Sequence, residues 1–243
     1  IYLNSRSNTM NAIHLLKALE RCPLFTINEF IRVTGSSAKY ARNHIYRLKK
    51  AGLVFQIQKG KYTLHTDPLI YASHITIPSY ISFWTAIRHY NLTEQLPNDI
   101  MVASARPKKQ LTVQGIKIKF YKLKEMWGYK KERYAGIDIF IAEKEKAVID
   151  AMLIRNMPFD EAAKAISSKE IDANKLIEYS IKAGSKSAMK RIGWLLEHYG
   201  FNADALSGKI DNNYIALGWD MAKKGKKDKK WKIIINWRED AFS

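Results

Sequence analysis

One cysteine, Cys22, serves the whole of this 243-residue chain. No disulfide can close within it, and no cysteine-based metal site can form. The six histidines (His14, His44, His65, His74, His89, His198) make no H-E-x-x-H and no other spaced ligand set, so neither metal nor cofactor is expected. There is no Gly-rich phosphate loop ending in Lys-Ser/Thr. Gly184-Ser185 repeats the Gly-Ser pair of nucleotidyltransferases, but no paired Asp follows at a useful spacing, and a turn joining two helices is the expected reading. Asp138, Glu143, Glu145 and Lys146 do not carry the acid-x-Lys spacing of a metal-dependent nuclease strand. With no catalytic constellation left, the chain is expected not to be an enzyme. No apolar run approaches the 18 residues of a membrane span. No charged segment followed by an apolar one opens the sequence, so a cytoplasmic chain is expected, with Ile1–Thr9 an extension or tag ahead of a start at Met10.

Acidic residues are also scarce. Lys and Arg number 41 against 23 Asp and Glu, for a net charge of +18. A field of that sign attracts polyanions and releases their counterions on contact. Up to His65 there are eleven basic residues against Glu20 and Glu29.

That basic N-terminal stretch has a pattern. Asn11–Arg21 carries Ile13, Leu15, Leu16 and Leu19 at helical spacing. Thr26-Ile27-Asn28-Glu29 is a capping box, which opens a short helix that stops at Gly35. Ser36-Ser37 opens a second helix, running to about Ala51 and Gly52. Leu53–Gln58 and Lys61–Leu64 alternate around Lys59-Gly60 and predict a hairpin. Helix, sharp turn, helix and hairpin make a winged helix-turn-helix, which offers its second helix to a DNA major groove. On a wheel of that helix Ala41, Ile45 and Leu48 form the core side, while Ser36, Lys39, Tyr40, Asn43, Tyr46, Arg47 and Lys50 form the other. Asn43 suits adenine, Arg47 or Lys39 suits guanine, and Ser36 and Ser37 near the helix N-terminus suit a phosphate. Lys59 and Lys61 flank the wing turn. The competing reading is a merely solvated basic face.

Thr66-Asp67-Pro68 marks the end of this domain, giving boundaries of 10–66 and 67–243. Beyond it, a helix-rich patch is predicted over Pro78–Tyr90. Strands are expected at Asp99–Ala103, Gln110–Gln114, Ile116–Leu123, Trp127–Tyr134 and Ile137–Ile141. Helices follow at Glu143–Arg155, Asp160–Ser167, Ala173–Ala183 and Ser187–Tyr199, with short strands at Tyr214–Leu217 and Trp231–Trp237. The fold class is α+β: the winged domain, then a mixed domain with a small antiparallel sheet and a helical tail. A second basic block, Arg106–Arg133, holds ten basic residues against two acidic. There Arg106, Lys108, Lys109, Lys117 and Lys119 are candidate further phosphate contacts, with a lysine-rich solvated face as the alternative. Lys223–Lys230, with six lysines, is expected to be an exposed loop or hairpin tip.

Two blocks are distinctive. Tyr80-Ile81-Ser82-Phe83-Trp84-Thr85-Ala86-Ile87 leads to Tyr90-Asn91-Leu92-Thr93-Glu94-Gln95-Leu96-Pro97, and Ile141–Asp150 reads IAEKEKAVID. With Arg47–Leu53 and Gly60-Lys61-Tyr62, they resemble the AbiEi-type antitoxins, the DNA-binding half of abortive-infection (type IV) toxin–antitoxin pairs. Ile87 stands where the family has Leu, and Asn91 where it has Gly. The resemblance is clear from Asn11 to Arg155 and loose in the helical tail. It implies an antitoxin that represses its own operon at inverted repeats in double-stranded DNA, beside a gene for a nucleotidyltransferase-like toxin. Ser82, Ala86 and Leu92 are expected to pack and cap, and Glu145, Lys146 and Asp150 to form ion pairs on a helix surface. A ligand-responsive winged-helix regulator without a toxin partner is the alternative, given the Tyr and Trp content of the second domain. RNA binding is the third reading.

Overall fold

A computed structural model of the chain describes residues 17–238. The described chain divides into two compact units. One takes the chain up to Ile81 together with Asn98–Met126 and Lys130–Ile141; the other takes Ser82–Pro97, Trp127–Tyr129 and everything from Ala142 on. This division does not run at 66/67, because the N-terminal segment shares a unit with the large sheet.

In the first unit, residues 17–20 are helical and Leu19 is buried. Ile13, Leu15 and Leu16 lie outside the described residues. β1 (Phe25–Thr26) runs into α1 (Ile27–Thr34), followed by α2 (Ala38–Lys50), β2 (Phe55–Gln58) and β3 (Lys61–Thr63). Each boundary has a local cause. The Thr26 hydroxyl accepts from the Glu29 amide at 3.2 Å while the Glu29 carboxylate accepts from the Thr26 amide at 2.6 Å, so two free helix-end donors are satisfied. Gly35, at φ 65°, takes the left-handed position that ends α1. Ser37 caps α2 by accepting from the Tyr40 amide at 3.3 Å. The strands pair antiparallel in the order β1-β3-β2. Leu19, Phe25, Phe30, Ala41, Ile45, Val54 and Tyr62 form one core, with Leu48 packed against it.

α3 (Pro68–Ala72) begins where expected, with Asp67 accepting from the Leu69 amide and Pro68 at the first turn. The sheet that follows differs from the small antiparallel one expected. It has six strands, β4 (Ser79–Ile81), β5 (Asp99–Ser104), β6 (Leu111–Val113), β7 (Ile116–Lys122), β8 (Tyr129–Tyr134) and β9 (Ile137–Ala142), in the order β6-β7-β5-β4-β9-β8. β4/β5 and β6/β7 are antiparallel, whereas β5/β7 and β4/β9 are parallel. Alternation along a strand sets which face is buried, not which neighbour it pairs with or in which direction. The start of the predicted helical patch is the central strand β4, whose three residues are all buried. Such short runs, covered on both faces, carry no period-2 signal.

The second unit is mainly helical: α4 (Phe83–His89), α5 (Lys144–Ile154), α6 (Phe159–Ser167), α7 (Ala173–Ala183), α8 (Lys186–His198) and α9 (Asp204–Ser207). Gly184, at φ 68°, ends α7, and Ser185 caps α8, so this Gly-Ser pair joins two helices. A three-stranded sheet closes the unit, β10 (Ile215–Ala216), β11 (Lys226–Asp228) and β12 (Ile233–Ile235), in the order β10-β12-β11. Part of the lysine run, Lys226–Asp228, is thus an edge strand, and Lys229 and Lys230 lie in the turn of the β11/β12 hairpin, one of the two expected places.

α5 corrects another expectation. Glu145, Lys146 and Asp150 are buried, not on a surface. Lys146 pairs with Asp150 one turn along, and its ammonium stands 4.6 Å from the Trp127 ring centroid. Ser82 provides no side-chain cap for α4; its hydroxyl donates to Asp150 Oδ2 at 2.7 Å. Glu145 accepts from the Asp172 amide at 3.1 Å and pairs with Lys175 at 3.2 Å. Ala86 and Leu92 are packed, as expected, and Asn91 holds φ 55°, the conformation its Gly-like position needs.

Candidate nucleic-acid interface

α2 presents two unlike sides. Ala41 and Ile45 are buried and Leu48 is half-buried. Lys39, Tyr40, Asn43, Tyr46, Arg47 and Lys50 are exposed, with Tyr40 and Tyr46 showing 51% and 58% of their surface to solvent. Leaving two tyrosines that open costs apolar hydration unless something covers them. The Lys50 ammonium lies 5.2 Å from the Tyr46 ring centroid, so cation and ring form one polar-aromatic patch. Ser37 is exposed, and its hydroxyl is already the helix cap. Ser36 is half-buried, and its hydroxyl shares a 2.7 Å hydrogen bond with that of Thr34, which fixes the turn between the helices.

The hairpin is braced against this helix. Lys49 Nζ donates to Gln56 Oε1 at 2.5 Å. Lys59 is exposed at the tip, where Gly60 takes φ 79°. Lys61 flanks the tip as expected, at the start of β3, but its ammonium donates to the Ile75 carbonyl at 2.9 Å and ties the hairpin to the chain that follows α3.

The second basic block divides similarly. Arg106, Lys109 and Lys117 are exposed. Lys108 is half-buried; it donates to Gln58 Oε1 at 2.8 Å and lies 5.6 Å from the Phe120 ring centroid. Burial, with Lys61 near by, holds its ammonium below the usual lysine range. Lys119 pairs with Asp99 at 2.5 Å. Three of the five are therefore open to a phosphate, and the other two are occupied within the fold.

Sequence reading missed His44. It lies on α2 with its ring edge-on to Phe30 (5.6 Å) and Tyr40 (5.4 Å), and its buried Nδ1 has no hydrogen-bond partner. Burial first, and the Arg47 charge second, push its pKa below the ordinary value. The Tyr40/His44 spacing of four residues was the available signal.

Among the described residues no helix is long and apolar enough to cross a membrane, and no group of three or more His, Cys, Asp or Glu side chains is placed to hold a metal. No curated protein matches the chain. Residues 15–65 match the family model of the transcriptional regulators described as AbiEi antitoxins. The match takes in both helices and the hairpin and stops short of the Ser82–Pro97 and Glu145–Asp150 blocks. Over residues 15–65, therefore, the resemblance to the AbiEi-type antitoxins read from the sequence holds.

Proposed function

We propose that the chain is a duplex-DNA-binding regulator that represses its own operon and serves as the antitoxin of a toxin–antitoxin pair. The carrying observation is the exposed row Lys39, Asn43, Tyr46, Arg47 and Lys50, set opposite the buried Ala41 and Ile45 on one helix. In this reading the segment works as a winged helix-turn-helix. α2 enters the major groove, where Asn43 and Arg47 meet base edges and Lys39 and Lys50 meet phosphates. Lys59 at the wing tip and Arg106, Lys109 and Lys117 meet the backbone beyond the groove. The match of residues 15–65 supports the regulator and antitoxin parts. The inverted-repeat operator and the nucleotidyltransferase-like toxin come from the family resemblance. The reading assigns no catalysis, and it puts the protein in the cytoplasm with its DNA.

The test is fluorescence anisotropy on three probes: a duplex from the promoter of its own operon, a scrambled duplex, and RNA of the promoter sequence. The reading expects the promoter duplex to bind tightest, and co-expression to restore growth to cells carrying the neighbouring toxin gene. Preference for RNA would overturn duplex recognition. Tight promoter binding without protection would favour the ligand-responsive regulator.

A further inference from the structure

Lys224, Gly225 and Lys226, from the lysine run, form one wall of a concavity that DNA recognition does not use. β11 and β12, with the segment ahead of β11, border an open concavity of about 550 Å³. That volume lies within the range of small-molecule sites. Its apolar part is Met221, Ile235 and Trp237, and its cations are Lys224, Lys226 and Arg238. Among the described residues no acidic side chain lines it. None of the three cations makes an ion pair with a described acidic residue, although Lys230 of the same run is held by Glu197 and Asp204.

The frame is fixed by contacts that do not use those cations. Trp237 Nε1 donates to Asp160 Oδ1 at 3.2 Å, which sets the orientation of the indole. Asn236 spends its whole amide on the segment ahead of β11. Its Nδ2 donates to the carbonyls of Gly218 (2.9 Å) and Ala222 (3.1 Å), and its Oδ1 accepts from the Gly218 amide (2.8 Å). At Gly225 a Cβ would fall 1.8 Å from the Ile235 carbonyl oxygen, so only glycine lets the two walls approach this closely. Lys224, Lys226 and Arg238 are exposed, and an anion seated among them beside the apolar floor would gain charge-assisted hydrogen bonds.

We propose that this cavity binds a small organic anion, a carboxylate or phosphate carried on a flat apolar body. The body lies against Trp237, Met221 and Ile235, and the anionic group meets Lys224, Lys226 and Arg238. The inference is independent of DNA recognition by α2.

The test uses the full chain and 8-anilinonaphthalene-1-sulfonate, whose sulfonate stands in for the anionic group, followed by fluorescence. Its neutral analogue N-phenyl-1-naphthylamine and inorganic phosphate serve as controls. Saturable binding at one site is expected, with the double variant Lys224→Gln/Lys226→Gln weaker by about tenfold or more. Met221→Trp fills the cavity but keeps all three cations, and should weaken binding comparably. Urea midpoints equal to the parent's show that both variants are folded. The neutral analogue should bind more weakly, and phosphate alone should compete only at high concentration. Unchanged affinity in the lysine variant, or equal affinity for the neutral analogue, would remove the anion. Unchanged affinity in Met221→Trp would place the probe on the open basic surface and overturn the site. Phosphate binding as tightly as the sulfonate would remove the apolar body.

Discussion

Asn43 and Lys59 are both exposed and both on the candidate interface, but their chemistry separates them. An amide can pair with both an acceptor and a donor on an adenine edge, whereas an ammonium at a hairpin tip meets only phosphate charge. Asn43→Ala and Arg47→Ala should each cost about 1–3 kcal/mol on the cognate duplex and much less on random DNA. Lys59→Ala should weaken both duplexes alike. Anisotropy titrations on the two DNAs decide it, and matching profiles for Asn43→Ala and Lys59→Ala would refute the assignment of the reading face. His44 gives a pH prediction on the same helix. Its folded pKa lies below the ordinary 6.5, so its neutral ring favours the fold fully above that value. As pH falls below 6.5 the unfolded chain takes up the proton first, and stability drops toward the folded pKa. His74, also lowered by burial, acts in the same direction. His44→Phe keeps the ring contacts and removes the unpartnered nitrogen. It should therefore flatten, without abolishing, the loss of thermal stability between pH 7.5 and 5.5. An unchanged slope would mean that His44 does not titrate with folding.

At the scale of the element, the caps decided what could be read in advance. Thr26/Glu29, Gly35, Ser37 and Pro68 act through neighbours within a turn, so both helices of the N-terminal segment were predictable almost to the residue. Strand partners and directions in the six-stranded sheet depend on residues far apart in the chain, which is why a small antiparallel sheet was expected instead. The same distance hid the fates of Lys61, Lys108 and Lys119, each bound by a group from another element. α5 misled in a third way: E-K-A-V-I-D looks like a surface ion-pair sequence, yet its charges are buried beneath Trp127 and beside Ser82. The Ser82 and Asp150 blocks, noticed separately in the sequence, are thus one hydrogen-bonded unit. Breaking it should be expensive, because Lys146→Met takes the ammonium away from the buried Asp150 carboxylate. A loss of about 3–5 kcal/mol is expected in urea unfolding. The double variant Lys146→Met/Asp150→Leu should recover part of that, since the buried carboxylate is removed together with its ammonium. A double variant as unstable as the sum of the two singles would show that the pair is not energetically coupled. Gly193 on α8 offers a steric counterpart. A Cβ there would lie 2.1 Å from the buried Trp231 ring, so Gly193→Ala should lower the urea midpoint although alanine favours helix.

For the whole molecule, the question is how far the DNA footprint extends past residue 66. The seven-residue core from Leu19 to Tyr62 lies wholly inside residues 10–66, so that fragment should fold by itself, with the marginal stability of a small domain. It would lose two ties present in the full chain, Lys108 to Gln58 and Lys61 to the Ile75 carbonyl, and should melt below it. Of the phosphate contacts it would keep Lys39, Lys50 and Lys59 and lose Arg106, Lys109 and Lys117. Each phosphate neutralised on duplex DNA adds about 0.9 to the slope of log K against log salt, so the fragment should fall with a slope of about −2.7 and the full chain with one of about −5.4. Operator titrations at several salt concentrations measure both. Equal slopes would reduce Arg106, Lys109 and Lys117 to a solvated surface and confine recognition to the two helices and the hairpin. A full-chain slope shallower than about −2 would go further and remove the electrostatic argument for DNA altogether, leaving the net charge of +18 to be explained by another polyanion.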